Sequence, residues 1–371
     1  MSTTLRRQVG QLIIAGLEGP ALTATERAWL KLIQPSGVIL FRRNIEEPSQ
    51  TVELLRETTE ISRPPNFRCV DLEGGLVDRL RDLIAPMPSP AAVYATRKPA
   101  LFKKHGQLIA REARSLGFNT VFAPVLDLAL PASAGVMRTR VVAANPAEVT
   151  TYAKAFLQGL AGEGILGCGK HFPGLGGANL DSHHAMPVIK RSWEEMWTED
   201  MAPFRALASR LPMIMVAHAS YPQASGTKVP ASVSPFWITE MLRKKISYKG
   251  LIISDDMEMG GILTQRSIEE AAVEAVAAGT DLLEICKDAA LVLRAYEAVL
   301  SEVERSPSFR RRVQQAVRRV AHCKKEQASL AIPRQPPFRM LDSLRLQISD
   351  FLRLTEIKAS PHSASQQPRV P

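Results

Sequence analysis

Gly164-Ile165-Leu166-Gly167-Cys168-Gly169-Lys170-His171-Phe172-Pro173-Gly174-Leu175-Gly176-Gly177 opens as one kind of structure and closes as another. The apolar run from Gly164 to Cys168 reads as a buried strand. Lys170 and His171 stand where that strand exits. The segment beyond is too rich in glycine for a helix and too polar for core, and it leads to Asp181-Ser182-His183. A strand whose polar residues gather at its C-terminal end, followed by a loop with an Asp-x-His pair, is suited to holding a polar substrate and moving a proton onto it.

The same arrangement recurs along the chain. Short apolar runs at Leu12–Ala15, Gly37–Phe41, Phe67–Val70, Thr120–Ala123, Ile165–Gly169, Met213–Ala217, Leu251–Ser254 and Asp281–Ile285 read as strands. Helical patterns such as Ala147–Leu160, Trp193–Ala208 and Ser267–Ala278 separate most of them. Strands alternating with helices predict parallel βαβ units. Eight such units in 371 residues predict a (β/α)₈ TIM-type barrel. Asp71, Lys170, His171, His218 and Asp255 all fall at strand C-termini, where a barrel of this type builds its active site. An open doubly wound sheet would gather such residues only near its switch point.

These residues, with others, resemble glycoside hydrolase family 3, in particular its single-domain β-N-acetylhexosaminidases of peptidoglycan recycling. Lys170-His171-Phe172-Pro173-Gly174 and Asp181-Ser182-His183 match that family's signature without a gap, Leu175 standing where it usually has His. Gly37-Val38-Ile39-Leu40-Phe41 with Arg43-Asn44, Val70-Asp71-Leu72-Glu73-Gly74-Gly75 with Arg79, Phe122 to Asp127, Arg140 and Ser254-Asp255-Asp256 extend the likeness over roughly residues 5 to 320. Leu76 replaces an Arg of the pattern, and Val141-Val142 replaces Ser-Phe.

The resemblance implies a retaining, exo-acting β-glycosidase, most simply a β-N-acetylglucosaminidase releasing terminal N-acetylglucosamine from cell-wall fragments. A β-glucosidase or β-xylosidase is the alternative specificity, and a non-catalytic sugar-binding protein the alternative role. Glycoside hydrolysis needs a carboxylate on one side of the anomeric carbon and a proton donor on the other. The resemblance assigns the nucleophile to Asp255; Asp256 is expected to point elsewhere while strand alternation persists. It assigns the acid/base to His183, with Asp181 orienting the ring and raising its proton affinity. His184 has no such match. Asp71, Arg79, Arg140, Lys170 and His171 are the implied substrate-binding residues. Glu73 is read as supporting the Gly74-Gly75 turn, and His218 as lining the pocket or holding a strand end.

Other chemistries fit less well. His171, Asp181, His183 and His184 are of types that suit zinc, but no helical His spacing or Cys pattern fixes a geometry, so no metal or other cofactor is expected. The glycines after Gly174 lack the Gly-Lys-Ser/Thr ending of a phosphate loop. Cys69, Cys168, Cys286 and Cys323 show no metal or redox spacing and read as buried free thiols, which suits a cytoplasmic enzyme. No apolar run approaches a membrane span. Arg6-Arg7 before Val9–Leu17 only imitates a signal peptide, because Gln11 interrupts it and no cleavage site follows.

The net charge of +10 is local: the 66 residues from Ser306 onward carry 13 Lys and Arg against 4 Asp and Glu. Arg310-Arg311-Arg312, Arg318-Arg319 and Lys324-Lys325 read as the solvated face of a last helix, without the interleaved aromatics of a nucleic-acid surface. The resemblance implies a carbohydrate substrate as partner; no nucleic acid and no membrane span are expected, and a monomer is expected, with an oligomer left open. Residues 1–330 form the expected catalytic barrel. Residues 331–371 are expected to be a linker through Pro333, Pro336 and Pro337, an amphipathic helix over Met340–Ile357, and a disordered tail rich in Ser, Gln and Pro.

Overall fold

A computed structural model of the chain describes residues 3–63, 65–180, 182, 185–325 and 338–356. Eight parallel strands close into a barrel in sequential order. They are β1 (Ile13–Gly16), β2 (Gly37–Leu40), β3 (Phe67–Val70), β4 (Thr120–Val121), β5 (Leu166–Phe172), β6 (Met213–Val216), β7 (Leu251–Asp256) and β8 (Leu282–Ile285). β1 pairs with β8 as well as β2, so no edge remains. Each lies within or overlaps an apolar run of the sequence. The chain has the (β/α)₈ fold.

Strand alternation sorts the side chains into two cores. Ile14, Ile39, Phe67, Cys69, Phe122, Leu166, Cys168, Met213, Met215, Leu251, Ile253, Leu282 and Cys286 point into the barrel. The intervening residues, such as Val38, Val70, Ile214, Ile252 and Leu283, face the surrounding helices. Those helices start where sequence signals place them: Ser267 accepts the Glu270 N–H while Glu270 bonds back to the Ser267 N–H, a capping box that begins Ile268–Ala278.

Two departures from the sequence reading have physical reasons. The helix expected over Trp193–Ala208 is broken into Trp193–Glu195, a π-turn at Met196–Asp200, and Ala202–Leu207. Pro203 has no N–H to give to Glu199, and the Met201 N–H bonds to Met196 O instead (2.8 Å). The basic helix Pro307–Lys325 is not simply solvated. Arg312 and Arg319 both reach the buried Asp281 carboxylate (2.9 Å each), and Lys324 is buried with its Nζ over the Phe67 ring and 2.8 Å from Gln11 Oε1. Val320 from this helix joins the barrel-interior cluster, so the helix stops the N-terminal end of the barrel.

The amphipathic helix expected near the C-terminus spans Phe338–Glu356. It buries Leu341, Leu344, Ile348 and Phe351 against the helices Pro99–Ser115 and Pro90–Ala95. Arg345 caps the carbonyl of Leu83 (2.8 Å), in the segment that follows the antiparallel hairpin Leu72–Gly74/Val77–Asp78. The linker prolines and the residues after Glu356 lie outside the described residues. Cys69, Cys168 and Cys286 are buried free thiols, and Cys323 is a half-buried one.

Candidate active site

At the C-terminal end of the barrel the strand exits surround a pocket of about 140 Å³. Asp71, Arg79, Arg140, Lys170, His171 and Asp255, from four segments far apart in sequence, all line it. A larger cleft of about 640 Å³ opens at the other end, beside Lys249 and Arg318, but its lining holds no carboxylate. Convergent groups of opposite charge, rather than size, mark the smaller cavity as the site.

Each group is held by a partner. Glu73 is 1% exposed and accepts two parallel hydrogen bonds from Arg140 (2.8 Å each). Lys170 Nζ lies 2.8 Å from Glu73 Oε1 and 2.7 Å from Asp71 Oδ1. Burial alone would raise the Glu73 pKa, but Arg140 and Lys170 outweigh it and hold the carboxyl well below its usual range. Burial likewise works against the Lys170 ammonium, and Asp71 and Glu73 push its pKa up instead. Glu73 thus organises two cations; it does not serve the glycine turn alone, as its neighbours in sequence suggested. That turn is made by Gly74 and Gly75, whose φ of 90° and 62° lies in the left-handed region. It swings the hairpin back so that Arg79 reaches the pocket over Phe41 (5.7 Å from the ring centroid).

Asp127 is a residue the sequence matched without assigning a role. It is buried, and its Oδ2 lies 2.7 Å from His171 Nδ1, while the N–H groups of His171 (3.2 Å) and Leu175 (2.7 Å) also donate to it. The Nδ1 proton is thereby fixed, and Nε2 is the nitrogen left for a ligand. One signal was available: a single carboxylate inside the apolar run Phe122–Leu130 must be buried with partners. His218 is held at a strand end, its Nδ1 2.7 Å from Ser232 Oγ and its Nε2 donating to the Asp256 carbonyl (3.0 Å).

The adjacent carboxylates Asp255 and Asp256 end β7. Asp256 was expected to point away, yet both border the pocket, because the pairing with β8 shifts register between Leu282 and Glu284. Their electrostatics differ. Burial would raise Asp255, but His171, His218, the Asp256 N–H and Lys170 together hold it below the ordinary carboxylate range. Asp256 is pushed up to about 7 by burial, with Glu258 and Asp255 adding to it, and its Oδ1 is taken by the N–H groups of Glu258 (3.0 Å) and Cys286 (3.2 Å). Asp255 is the carboxylate kept ionised and open.

Of the departures from the family pattern, Leu175 lines the pocket, Val141 is buried, and Leu76 is exposed. Asp181, His183 and His184 lie outside the described residues; Ser182, between the first two, borders the pocket, and its carbonyl accepts the Gly261 N–H (2.9 Å). Among the described residues no three His, Cys, Asp or Glu are grouped to hold a metal ion.

Residues 4–323 match the model of the glycosyl hydrolase family 3 N-terminal domain. The chain belongs to glycosyl hydrolase family 3. It is 34% identical over 300 residues to a β-hexosaminidase of Idiomarina loihiensis, covering 80% of this chain and 89% of that protein. It is 38% identical over 279 residues to a β-hexosaminidase of Pseudomonas aeruginosa, covering 75% and 83%. Among solved structures it resembles a family 3 β-N-acetylglucosaminidase from a Paenibacillus species, with TM-score 0.85, 30% identity, and 94% and 69% of the two chains covered. It also resembles a family 3 glycosyl hydrolase from Mycobacterium smegmatis, with TM-score 0.76, 28% identity, and 86% and 96% covered. This family 3 chain is a glycoside hydrolase, and the pocket at the strand exits is its candidate active site.

Proposed function

We propose that the enzyme is a retaining, exo-acting β-N-acetylglucosaminidase that releases terminal N-acetylglucosamine from cell-wall fragments in the cytoplasm. The observation that carries the chemistry is Asp255, held below the ordinary carboxylate range and bonded through Oδ1 to one backbone N–H, that of Asp256 (3.0 Å), in a pocket whose other described carboxyls are paired with a cation, tied by two backbone N–H groups or pushed toward the neutral form. The sugar follows from the names of the relatives, and free buried thiols agree with a reducing compartment.

Asp255 attacks the anomeric carbon while His183 protonates the leaving oxygen, giving a glycosyl-enzyme. His183 then takes a proton from water, which releases the sugar with retained configuration. Asp181 orients the imidazole. Lys170 and His171, anchored by Glu73 and Asp127, hold hydroxyls from the pocket floor; Asp71 and Arg79 hold the terminal ring. Arg140 is bound through two of its three guanidinium nitrogens, Nε and Nη2, to Glu73, so Nη1 is the nitrogen left for substrate. A pocket of about 140 Å³ has room for the end of a glycan, not for a chain laid across it, which supports exo action.

A panel of aryl β-glycosides of N-acetylglucosamine, glucose and xylose, followed by NMR of the first-formed anomer, tests this. Fastest turnover of the N-acetylglucosaminide with β-product first is expected. Faster xylosidase or glucosidase activity would replace the sugar, α-product first would remove the covalent step, and binding without turnover of any glycoside would leave a sugar-binding protein.

A further inference from the structure

One acidic side chain at the centre of this site is used by nothing described so far. Glu284 lies in β8 between Leu282 and Cys286, both of the barrel interior, while Leu283 faces the outer core. Alternation therefore turns Glu284 inward, into the pocket it borders with Asp71, Asp255 and Asp256. It is 2% exposed. Its Oε1 takes a hydrogen bond from Cys286 Sγ (3.1 Å), but Oε2 is buried without a partner among the described residues. Among the described residues no cation pairs with it: Lys170 is committed to Asp71 and Glu73, and Arg140 to Glu73.

A buried carboxyl oxygen without a partner is costly in the empty protein. Glu112 is also a buried acid with unpartnered oxygens, but it borders no described cavity. Asp200 Oδ1 is likewise unmet and away from the pocket, so among the described buried acids Glu284 is the one whose unmet oxygen lies where a ligand enters. Burial, then the facing Asp71, Asp256 and Asp255 carboxylates, push its pKa well up, so the group keeps its proton and can donate as well as accept. A neutral acid in a polar pocket matches a sugar hydroxyl, which is both donor and acceptor.

We infer that Glu284 is a specificity-determining substrate contact, its free carboxyl oxygen hydrogen-bonding one hydroxyl of the terminal sugar on the pocket floor. This rests on the glycosidase reading above.

The test is a binding cycle by titration calorimetry, using N-acetylglucosamine and its singly deoxygenated derivatives with the wild type, Glu284→Gln and Glu284→Leu. The wild type should bind one deoxy sugar about tenfold more weakly than the parent. Glu284→Leu should lose about the same factor on the parent and no longer distinguish that derivative, and Glu284→Gln, which keeps a donor and an acceptor, should stay within about threefold. Leucine suits the apolar barrel interior; should that variant not fold, Glu284→Ala takes its place in the cycle with the same expected result, and equal binding of every deoxy sugar by the wild type overturns the inference on its own. Uniform weakening of all ligands by Glu284→Leu would also overturn it, leaving only a structural role. The failure of the underlying reading looks different. Wild type that turns over none of the aryl glycosides sinks both proposals. Wild type that prefers another sugar moves the same cycle to that sugar, where equal binding by wild type and Glu284→Leu overturns the assignment of Glu284 alone.

Discussion

Asp255 and Asp256 are neighbours of the same type in the same pocket, and only their surroundings separate them. Asp255→Asn should lower kcat by about four orders of magnitude with the fold intact, because the proposed covalent step would lose its nucleophile. A 2-fluoro glycoside should label Asp255 in the wild type; mass spectrometry finding the label on Asp256 would reverse the assignment. Asp256→Asn keeps the acceptor for Glu258 and Cys286 and should spare most turnover. It should reveal a pH effect. An acid raised from 3.8 to about 7 stabilises the fold below pH 3.8, and that contribution is lost as pH rises through about 7. The Tm of Asp256→Asn should therefore gain on the wild type between those limits; a constant difference in scanning fluorimetry would show that Asp256 does not titrate there. His183 carries a separate expectation. His183→Ala should slow a natural disaccharide far more than an activated aryl substrate, whose leaving group needs no proton, and azide should restore part of the aryl rate. Equal losses on both substrates with no azide effect would make His183 structural.

Strands were the most legible elements, since an uninterrupted apolar run ending in a polar pair has few other meanings in an α/β chain. Helices were legible where a cap begins them, as at Ser267, and not where backbone chemistry interrupts them, as at Pro203. The C-terminal helix Phe338–Glu356 was visible as a pattern, but its docking partner was not, because an amphipathic stripe does not say what covers it. Phe351 is fully buried beside His105 (centroids 5.8 Å apart). Phe351→Ala should destabilise the protein by about 3–5 kcal/mol. Leu354→Ala, at a position 49% exposed, should change stability by no more than about 0.5 kcal/mol. Equal values in chemical denaturation would mean that the helix does not stay docked.

The barrel gathers its candidate site at one end and stops the other with the helix Pro307–Lys325. Lys324 is a liability there. Its pKa is lowered from 10.5 to about 7, chiefly by burial. A depressed lysine leaves the fold at full stability above pH 10.5 and weakens it as pH falls through about 7. Lys324→Met keeps the stem volume and removes the buried charge, so its Tm should exceed that of the wild type near pH 6 and the gain should shrink toward pH 10. A Tm loss at every pH would show that the Gln11 and Phe67 contacts outweigh desolvation.

What the sequence determined by itself was local: eight apolar runs, the polar residues at their ends, and motifs dense enough to imply a family. Periodicity and turn chemistry act over a few residues, so they can be read from the chain directly. The tertiary structure alone decided which polar residues meet. Glu73 reaches Arg140, 67 residues away, and Asp127 reaches His171, 44 away. Closing the barrel also put Glu284 beside Asp71, Asp255 and Asp256. Burial and charge at those meetings set which carboxylate is ionised and which keeps its proton, because both depend on distances that only a closed barrel creates.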